Sequence, residues 1–433
     1  MSSLPVWRAV AKINLKISKF FIRIIKMKLT YSSLAFAIIM AVHQNVIAAP
    51  ELQVYNFDQP VKEKIESANA WVEVSKSAFE YNIQSVQSSL AGGSKLCAVM
   101  KADAYGHGIS LLIPSIIKEN ITCIGIASND EARIARAEGY KGRIVRVRQA
   151  AIDEIKHGMQ YDVEEMIGNA DLAKSIGAVA SAAGMVIRVH VVTNAGGMSR
   201  NGLELKTDQG KADALSITRT PGLKTVGIMT HFAVEDKSFV EAAHRNFVDE
   251  SGWIIKHSGL KRSEIQLHCA NSFATAEVPS THMDMVRVGG SLYGDLPGHD
   301  LRRVMSFKSR VAAVNTYPAG NTVGYDRTFT LKRDSKLANI AVGYSDGYRR
   351  LFTNKSYVII DGERVPTVGK VSMNTLMADV TDLPNVKPGD EVVIFGKQKD
   401  GEISAGELEE INGALLADLY TVWGNSNIRV LVD

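Results

Sequence analysis

"KLCAVMKADAYGHG", residues 95–108, is apolar from Leu96 to Met100, stops on Lys101, and turns at once through Asp103, Tyr105, Gly106, His107 and Gly108. An ammonium at the end of a buried-looking strand is costly to desolvate. Two readings are open from position alone. The lysine can snorkel out past the strand end with its charge in water. Alternatively, apolar walls lower its pKa and make it a nucleophile or general base.

The stretch opens a rhythm that continues along the chain. Short Val/Ile-rich runs follow at 122–128 (TCIGIAS), 143–148 (RIVRVR), 162–168 (DVEEMIG), 186–193 (VIRVHVVT), 225–232 (TVGIMTHF), 264–271 (EIQLHCAN) and 284–290 (DMVRVGG). Most are separated by amphipathic segments such as GISLLIPSIIKEN and NADLAKSIGAVASAAG. Alternating strand and helix predicts parallel strands with crossover helices. With KLCAVMK as the first, the runs suit a (β/α)8 TIM barrel closed on itself. An open doubly wound sheet is the alternative, but no G-x-G-x-x-G follows the first strand. In such barrels the chemistry sits where strands end. The ends here carry Lys101, Arg146, Arg148, His190, Asn194, His231, Asn271, Ser272 and Arg287, a set suited to binding an anion and moving a proton.

Beyond residue 305 the pattern changes to strands between Gly, Pro and Asp turns: RVAAVNTY, KLANIAVGY, SYVIIDGERVPTVGKV and DEVVIFGK. A mostly β domain is expected over 305–433, after a barrel over 70–304 and an extension over 50–69. One helix is expected after Ile403, with Ser404 as N-cap and Glu407 completing a capping box.

The chain has 433 residues, 45% hydrophobic and 22% charged, with a net charge of +4. Much of the excess lies in Arg8, Lys12, Lys16, Lys19, Arg23, Lys26 and Lys28, with no acid among them, so the charge does not point to nucleic acid. The run LTYSSLAFAIIMAV and the small residues of HQNVIAAP follow. Together they read as a secretory signal peptide over 1–49, cut near Ala48 or Ala49, with Met27 as an alternative start. The apolar run is short for a membrane span. An uncleaved anchor is the alternative; after cleavage no stable membrane association is expected. The catalytic part is expected outside the cytoplasm, in the periplasm of a Gram-negative cell. The cysteines are Cys97, Cys123 and Cys269, without metal-ligand spacing, so no metal site is expected. Cys97 and Cys123 lie on the first and second barrel strands. They are either a disulfide, which export permits, or two buried thiols.

The motifs resemble those of the alanine racemase family, from about Trp71 to the C-terminus. WVEVSKSAFEYNIQSV (71–86) is similar to the family's opening strand and helix, and VMKADAYGHG to its pyridoxal-phosphate (PLP) lysine motif. VHVVTNAGGMSRNGLE, MTHFAVED, HCANSFAT, MVRVGGSLYG, VGYDRTF, VGYSDGYRR and VGKVSMNTLMADV follow in family order. The resemblance implies that Lys101 holds PLP covalently, that Tyr105, Ser272, Gly289 and Gly290 bind its phosphate with Asn271 close by, and that His190 packs on its ring. The alternative for His190 is a core histidine. Arg287 would face the pyridine nitrogen. A guanidinium keeps its proton, so the ring would be a weaker electron sink and a short-lived carbanion would be reprotonated. Racemisation needs a base on each face. Lys101 would serve one and Tyr325 the other. Tyr325 would come from the second subunit of a homodimer with composite sites, as would Tyr344 and Met373, which frame the substrate's way in. Arg200 and Asn194 would line the substrate. Arg146 or Arg148 would assist Tyr325 or meet the substrate carboxylate.

The chain departs from the usual family pattern. Asn194 stands where an acid is usual, Asn201 follows Arg200, Asn374 replaces another acid, and Cys269 replaces a small hydroxyl residue. No tyrosine directly precedes the Arg-containing strand of WGNSNIRV, which leaves a phosphate contact unassigned. These departures resemble the exported broad-specificity racemases and imply several free amino acids as substrates, with Lys, Arg and Ala as candidates. The alternatives are an exported alanine-specific racemase, a PLP decarboxylase of the same fold, a non-catalytic PLP-binding protein and an amino-acid-binding module.

Overall fold

The computed structural model describes residues 61–433. The expected signal peptide (1–49) and residues 50–60 of the expected extension lie outside the described residues; a helix, Val61–Ser67, precedes the first strand.

That strand, β1 (Ala70–Ser75), is followed by β2 (Lys95–Val99), β3 (Cys123–Ile126), β4 (Arg143–Arg146), β5 (Val163–Ile167), β6 (Ile187–Val192), β7 (Leu223–Met229), β8 (Gln266–His268), β9 (Met285–Val288) and β10 (Met305–Tyr317). Strands β2 to β8 pair in parallel in chain order, and β9 pairs in parallel with β2. Two backbone bonds bring β9 against the β8 segment: Asp284 N donates to Leu267 O (3.2 Å) and Arg287 N to Ala270 O (3.0 Å). The barrel expected from the Val/Ile runs is thus present, each run supplying one strand. Its strands are buried on both faces because helices cover the outside, so they read as continuous apolar runs. Each fully buried Ile or Val contributes roughly 1.5–3 kcal/mol.

The sequence division at residue 70 is corrected at its edge. β1 does not enter the barrel. It pairs antiparallel with β10 and parallel with Ile428–Val432, inside a nine-stranded sheet otherwise built from residues beyond 304. Its run AWVEVS alternates enough to suit a sheet covered on one face, which the Val/Ile rhythm alone does not distinguish from a barrel strand. After Ile403 there are two helices, Ala405–Asn412 and Leu416–Ser426, not one. Ser404 caps the first, but Glu407 bonds Arg364 instead of closing the capping box.

Cys97 and Cys123 are directly opposed on β2 and β3 and form a disulfide, with Cα atoms 4.4 Å apart. Of the two alternatives, the bonded one is therefore observed. Cys269 is the free cysteine, and burial pushes its thiol up to about 12. Among the described residues no helix is long and apolar enough to cross a membrane.

Candidate active site

A cavity of about 500 Å³ opens at the carboxyl ends of the barrel strands. This is a usual size for a small-molecule site. Lys101, Tyr105, Asn194, Arg200, Asn271, Ser272, Arg287, Gly289 and Gly290 all line it. The structure therefore brings together residues spread over 190 positions of sequence by ending β2, β6, β8 and β9 at one mouth.

Lys101 stands two residues beyond β2 and opens into this cavity. Desolvation by the surrounding protein is the largest influence on its amine and lowers its pKa; the nearby Arg200 charge lowers it further, and Glu131 opposes both. The segment that follows is unusual. Ala102, Asp103, Ala104 and Tyr105 all have φ between 54° and 56°, a turn of left-handed helix made without glycine. Left-handed backbone costs roughly 1–2 kcal/mol per residue, so the turn persists only because its surroundings determine it. Asp103 Oδ1 accepts from Ile109 N (2.7 Å), and Arg429 pairs with the other oxygen. Asp103 N donates to Glu131 Oε1 (3.1 Å), while Glu131 also closes the capping box of helix Asn129–Ala137 with Ser128. Gly106 then follows at φ +78°, where a Cβ would lie 2.1 Å from Tyr420 O. The consequence is directional: the turn carries Tyr105 back over the cavity, with the Lys101 amine 5.7 Å from its ring centroid.

Opposite lies a cradle of small donors. Ser272 Oγ accepts from Gly289 N and Ser291 N, each at 3.2 Å, and Asn271 caps the helix that Ser272 begins. A Cβ on Gly289 would lie 2.2 Å from the Tyr105 hydroxyl, so only glycine lets that phenol reach the cradle. A Cβ on Gly290 would meet nothing closer than 3.4 Å, so packing does not demand glycine there. Tyr420 and Arg303 close the cradle from behind by bonding Asp295, whose carboxyl burial pushes up to about 6.

Arg287 is buried at the cavity floor. Its Nη1 bonds His268 Nδ1 (2.9 Å) and donates to His268 O (2.8 Å), while Nη2 donates to Thr230 O (2.8 Å) and faces His231 Nδ1 (3.3 Å). Burial lowers its pKa to about 10, which still leaves it protonated at pH 7. His231, half-buried beside Arg287, Arg200 and Lys101, is pushed down to about 3 by desolvation and these positive charges and is neutral.

Other expected residues lie elsewhere. His190 does not reach the cavity: it is fully buried within the barrel, bonded to Glu164 (2.9 Å) and His268 (2.8 Å). The histidine that lines the cavity is His231 of MTHFAVED. Sequence reading placed His231 among the polar strand ends but gave it no role, because a histidine on β6 and one just after β7 both read as polar strand-end residues and sequence does not tell which faces the mouth. Arg146 is also removed from the cavity. Its five N–H donors go to Glu165, Glu154, Asn129 and the Ala127 carbonyl, and its side chain is fully buried. Arg148 pairs with Glu154 outside the cavity lining. The expectation that either arginine meets a substrate carboxylate is corrected; Arg200 is the arginine on the cavity wall together with Arg287. Tyr325, Tyr344 and Met373 do not line this chain's cavity and are exposed by 63, 37 and 55%.

Residues 74–297 match the family description "Alanine racemase, N-terminal domain", and residues 304–431 match "Alanine racemase, C-terminal domain". The chain belongs to the alanine racemase family. Within it, the chain is 57% identical over 406 residues to a broad specificity amino-acid racemase of Pseudomonas putida, covering 93% of this chain and 99% of the relative. It is 51% identical to a lysine racemase of Proteus mirabilis, over 84% of this chain and 90% of the relative. A solved alanine racemase from Bartonella henselae, with covalently bound pyridoxal phosphate, has the same fold (TM-score 0.74, 23% identity, 84% of this chain and all of that one).

Proposed function

We propose that the chain racemises several free amino acids, Lys, Arg and Ala among them, with pyridoxal phosphate. The observation that carries this is the joint placement of a lysine of lowered pKa, a hydroxyl-and-glycine cradle and a buried, protonated arginine in one cavity. These residues fit the cofactor. Lys101 supplies the amine that would hold its aldehyde carbon. Ser272, Tyr105 and the backbone beside Gly289 supply donors for a phosphate, and Gly289 admits the close approach. Arg287 supplies a donor that stays charged. When bound, the cofactor withdraws electrons from Cα and acidifies its hydrogen.

The chain's own residues then move protons. Lys101 is available as a base at lower pH than free lysine because partial desolvation and the Arg200 charge disfavour its ammonium. Arg200 stands on the wall where a substrate carboxylate can be held, and Asn194 fixes the loop carrying it by accepting from Ser199 N (2.8 Å) and donating to Glu204 (3.1 Å). A base for the opposite face comes from a second subunit in this reading. Tyr325 is exposed beside Lys370–Asp326, and Tyr344 and Met373 are exposed with it, which is how partner-contributed groups look on a single chain. The substrates of the racemase relatives support breadth beyond alanine. Export to the periplasm is part of the proposal and is supported by the basic, then apolar leader and by the disulfide.

Borohydride fixes the cofactor on the lysine that holds it, so peptide mapping of the reduced protein tests the assignment. The cofactor mass is expected on the Lys101 peptide; a different lysine, or none, would overturn it.

A further inference from the structure

Below the cavity floor a chain of buried polar groups crosses the barrel. Arg287 Nη1 bonds His268 Nδ1 (2.9 Å), His268 Nε2 bonds His190 Nδ1 (2.8 Å), and His190 Nε2 bonds Glu164 Oε2 (2.9 Å). All four residues are buried. Glu164 borders a second, solvent-facing cavity at the opposite, amino-terminal mouth, beside Arg143 and Arg188. Both arginines bond its carboxylate: Arg143 Nε and Arg188 Nε on Oε1 (2.9 Å each), Arg143 Nη2 on Oε2 (2.5 Å). Asp162 balances Arg188 from the outside.

We infer that Glu164 is a positioning residue that sets the direction of every hydrogen bond in this chain and so aims the Arg287 guanidinium at the cavity.

The direction follows from counting donors. An ionised carboxylate only accepts, so His190 must carry its hydrogen on Nε2. A neutral imidazole then has a lone pair on Nδ1, which accepts from His268 Nε2–H. His268 is left with a lone pair on Nδ1, which accepts from Arg287. An imidazolium at His190 would donate to His268 and force a hydrogen onto His268 Nδ1, against the Arg287 N–H. Burial disfavours the charged form of both rings as well. The chain is not a proton conduit, because a guanidinium does not release its proton near neutrality. It locks tautomers.

Glu164→Gln discriminates. An amide nitrogen at Oε1 would oppose two arginine donors and at Oε2 one, so it settles toward His190 and donates to it. The reversal then propagates: His190 takes Nδ1–H, His268 takes Nδ1–H, and that hydrogen meets the Arg287 donor. Arg143→Met also removes an ion pair from Glu164 but leaves it a carboxylate, so a merely structural role would move both variants alike.

Neutron diffraction from deuterium-exchanged crystals of the holoenzyme reads this directly. The wild type is expected to carry deuterons on Nε2 of both His190 and His268 and none on Nδ1; a deuteron on either Nδ1 overturns the inference. In Glu164→Gln both deuterons are expected to move to Nδ1, while Arg143→Met keeps the wild-type pattern; no move in the first, or the same move in both, overturns it. The wild-type pattern decides even if Glu164→Gln does not fold. The kinetic consequence rests on the racemase reading: kcat of Glu164→Gln is expected to fall at least about tenfold with less change in KM, and an unchanged kcat contradicts the positioning role. The deuteron pattern stands or falls independently of which reaction the enzyme performs.

Discussion

The Lys101 amine is shifted toward its neutral form because of where its strand ends. The side chain is exposed into the cavity; partial desolvation by the protein around it, with Arg200 nearby, favours the neutral form. Tyr325 is the complementary case, an exposed phenol to which we assign, as a proposal, the second base of a partner's site. Enantiomers have equal free energies, so Tyr325→Phe must lower kcat/KM equally in both directions. The asymmetry belongs to exchange: in deuterated water one enantiomer should keep its Cα exchange through Lys101, while racemisation falls about 100-fold or more. Equal retention of exchange by both enantiomers, followed by NMR, would contradict two bases. Asp295 gives a pH prediction. Burial raises its folded pKa from 3.8 to about 6, so between these values the folded state binds more protons than the unfolded one and stability falls as pH rises. The penalty approaches about 3 kcal/mol once the group is ionised. Melting curves of Asp295→Asn against wild type should therefore shift in the variant's favour from pH 4 to pH 7. At this scale strand position pointed to Lys101, Ser272 and Arg287, because each ends a strand or follows one, and Gly289 came only from the family resemblance. It misplaced His190 and Arg146, because a polar residue in a barrel strand can face the mouth, the interior or a neighbouring carboxylate, and strand position alone does not choose.

The barrel strands were legible as elements because burial on both faces leaves uninterrupted Val/Ile runs. β1 was legible as a strand but not as a member of the other sheet, since its partners lie more than 230 residues away. The left-handed turn after Lys101 had no sequence signal. Alanine and tyrosine do not favour that backbone, and what enforces it comes from Glu131 on the helix after β3 and Arg429 on the last strand. The turn matters because it lays Tyr105 against Gly289. Gly289→Ala should place a Cβ 2.2 Å from the Tyr105 hydroxyl and push that ring out of the cradle. The expected outcome is cofactor retention weakened by about tenfold or more, with the fold intact, because one phosphate donor is displaced. Equilibrium dialysis measures it, and unchanged retention would separate Tyr105 from cofactor binding.

At the scale of the molecule, the barrel strands end at the cavity, and turns of the segment beyond residue 304 hold the exposed Tyr325, Tyr344 and Met373. If sites are composite across a two-fold dimer, Lys101→Ala and Tyr325→Ala should each be nearly inactive alone. Mixed after dissociation and reassembly, they should recover roughly a quarter of wild-type activity, since half of the dimers are mixed and each has one intact site. No recovery, with mixed dimers demonstrated by mass spectrometry, would place both bases on one chain. The central claim, racemisation of several amino acids at the Lys101 cavity, is tested most directly by chiral chromatography. The purified protein is incubated separately with L-lysine, L-arginine and L-alanine beside its Lys101→Ala variant. The D-enantiomer should appear from all three with the wild type and from none with the variant. D-alanine alone would reduce the activity to that of an alanine-specific racemase, and D-enantiomers formed equally by the variant would remove Lys101 from the reaction.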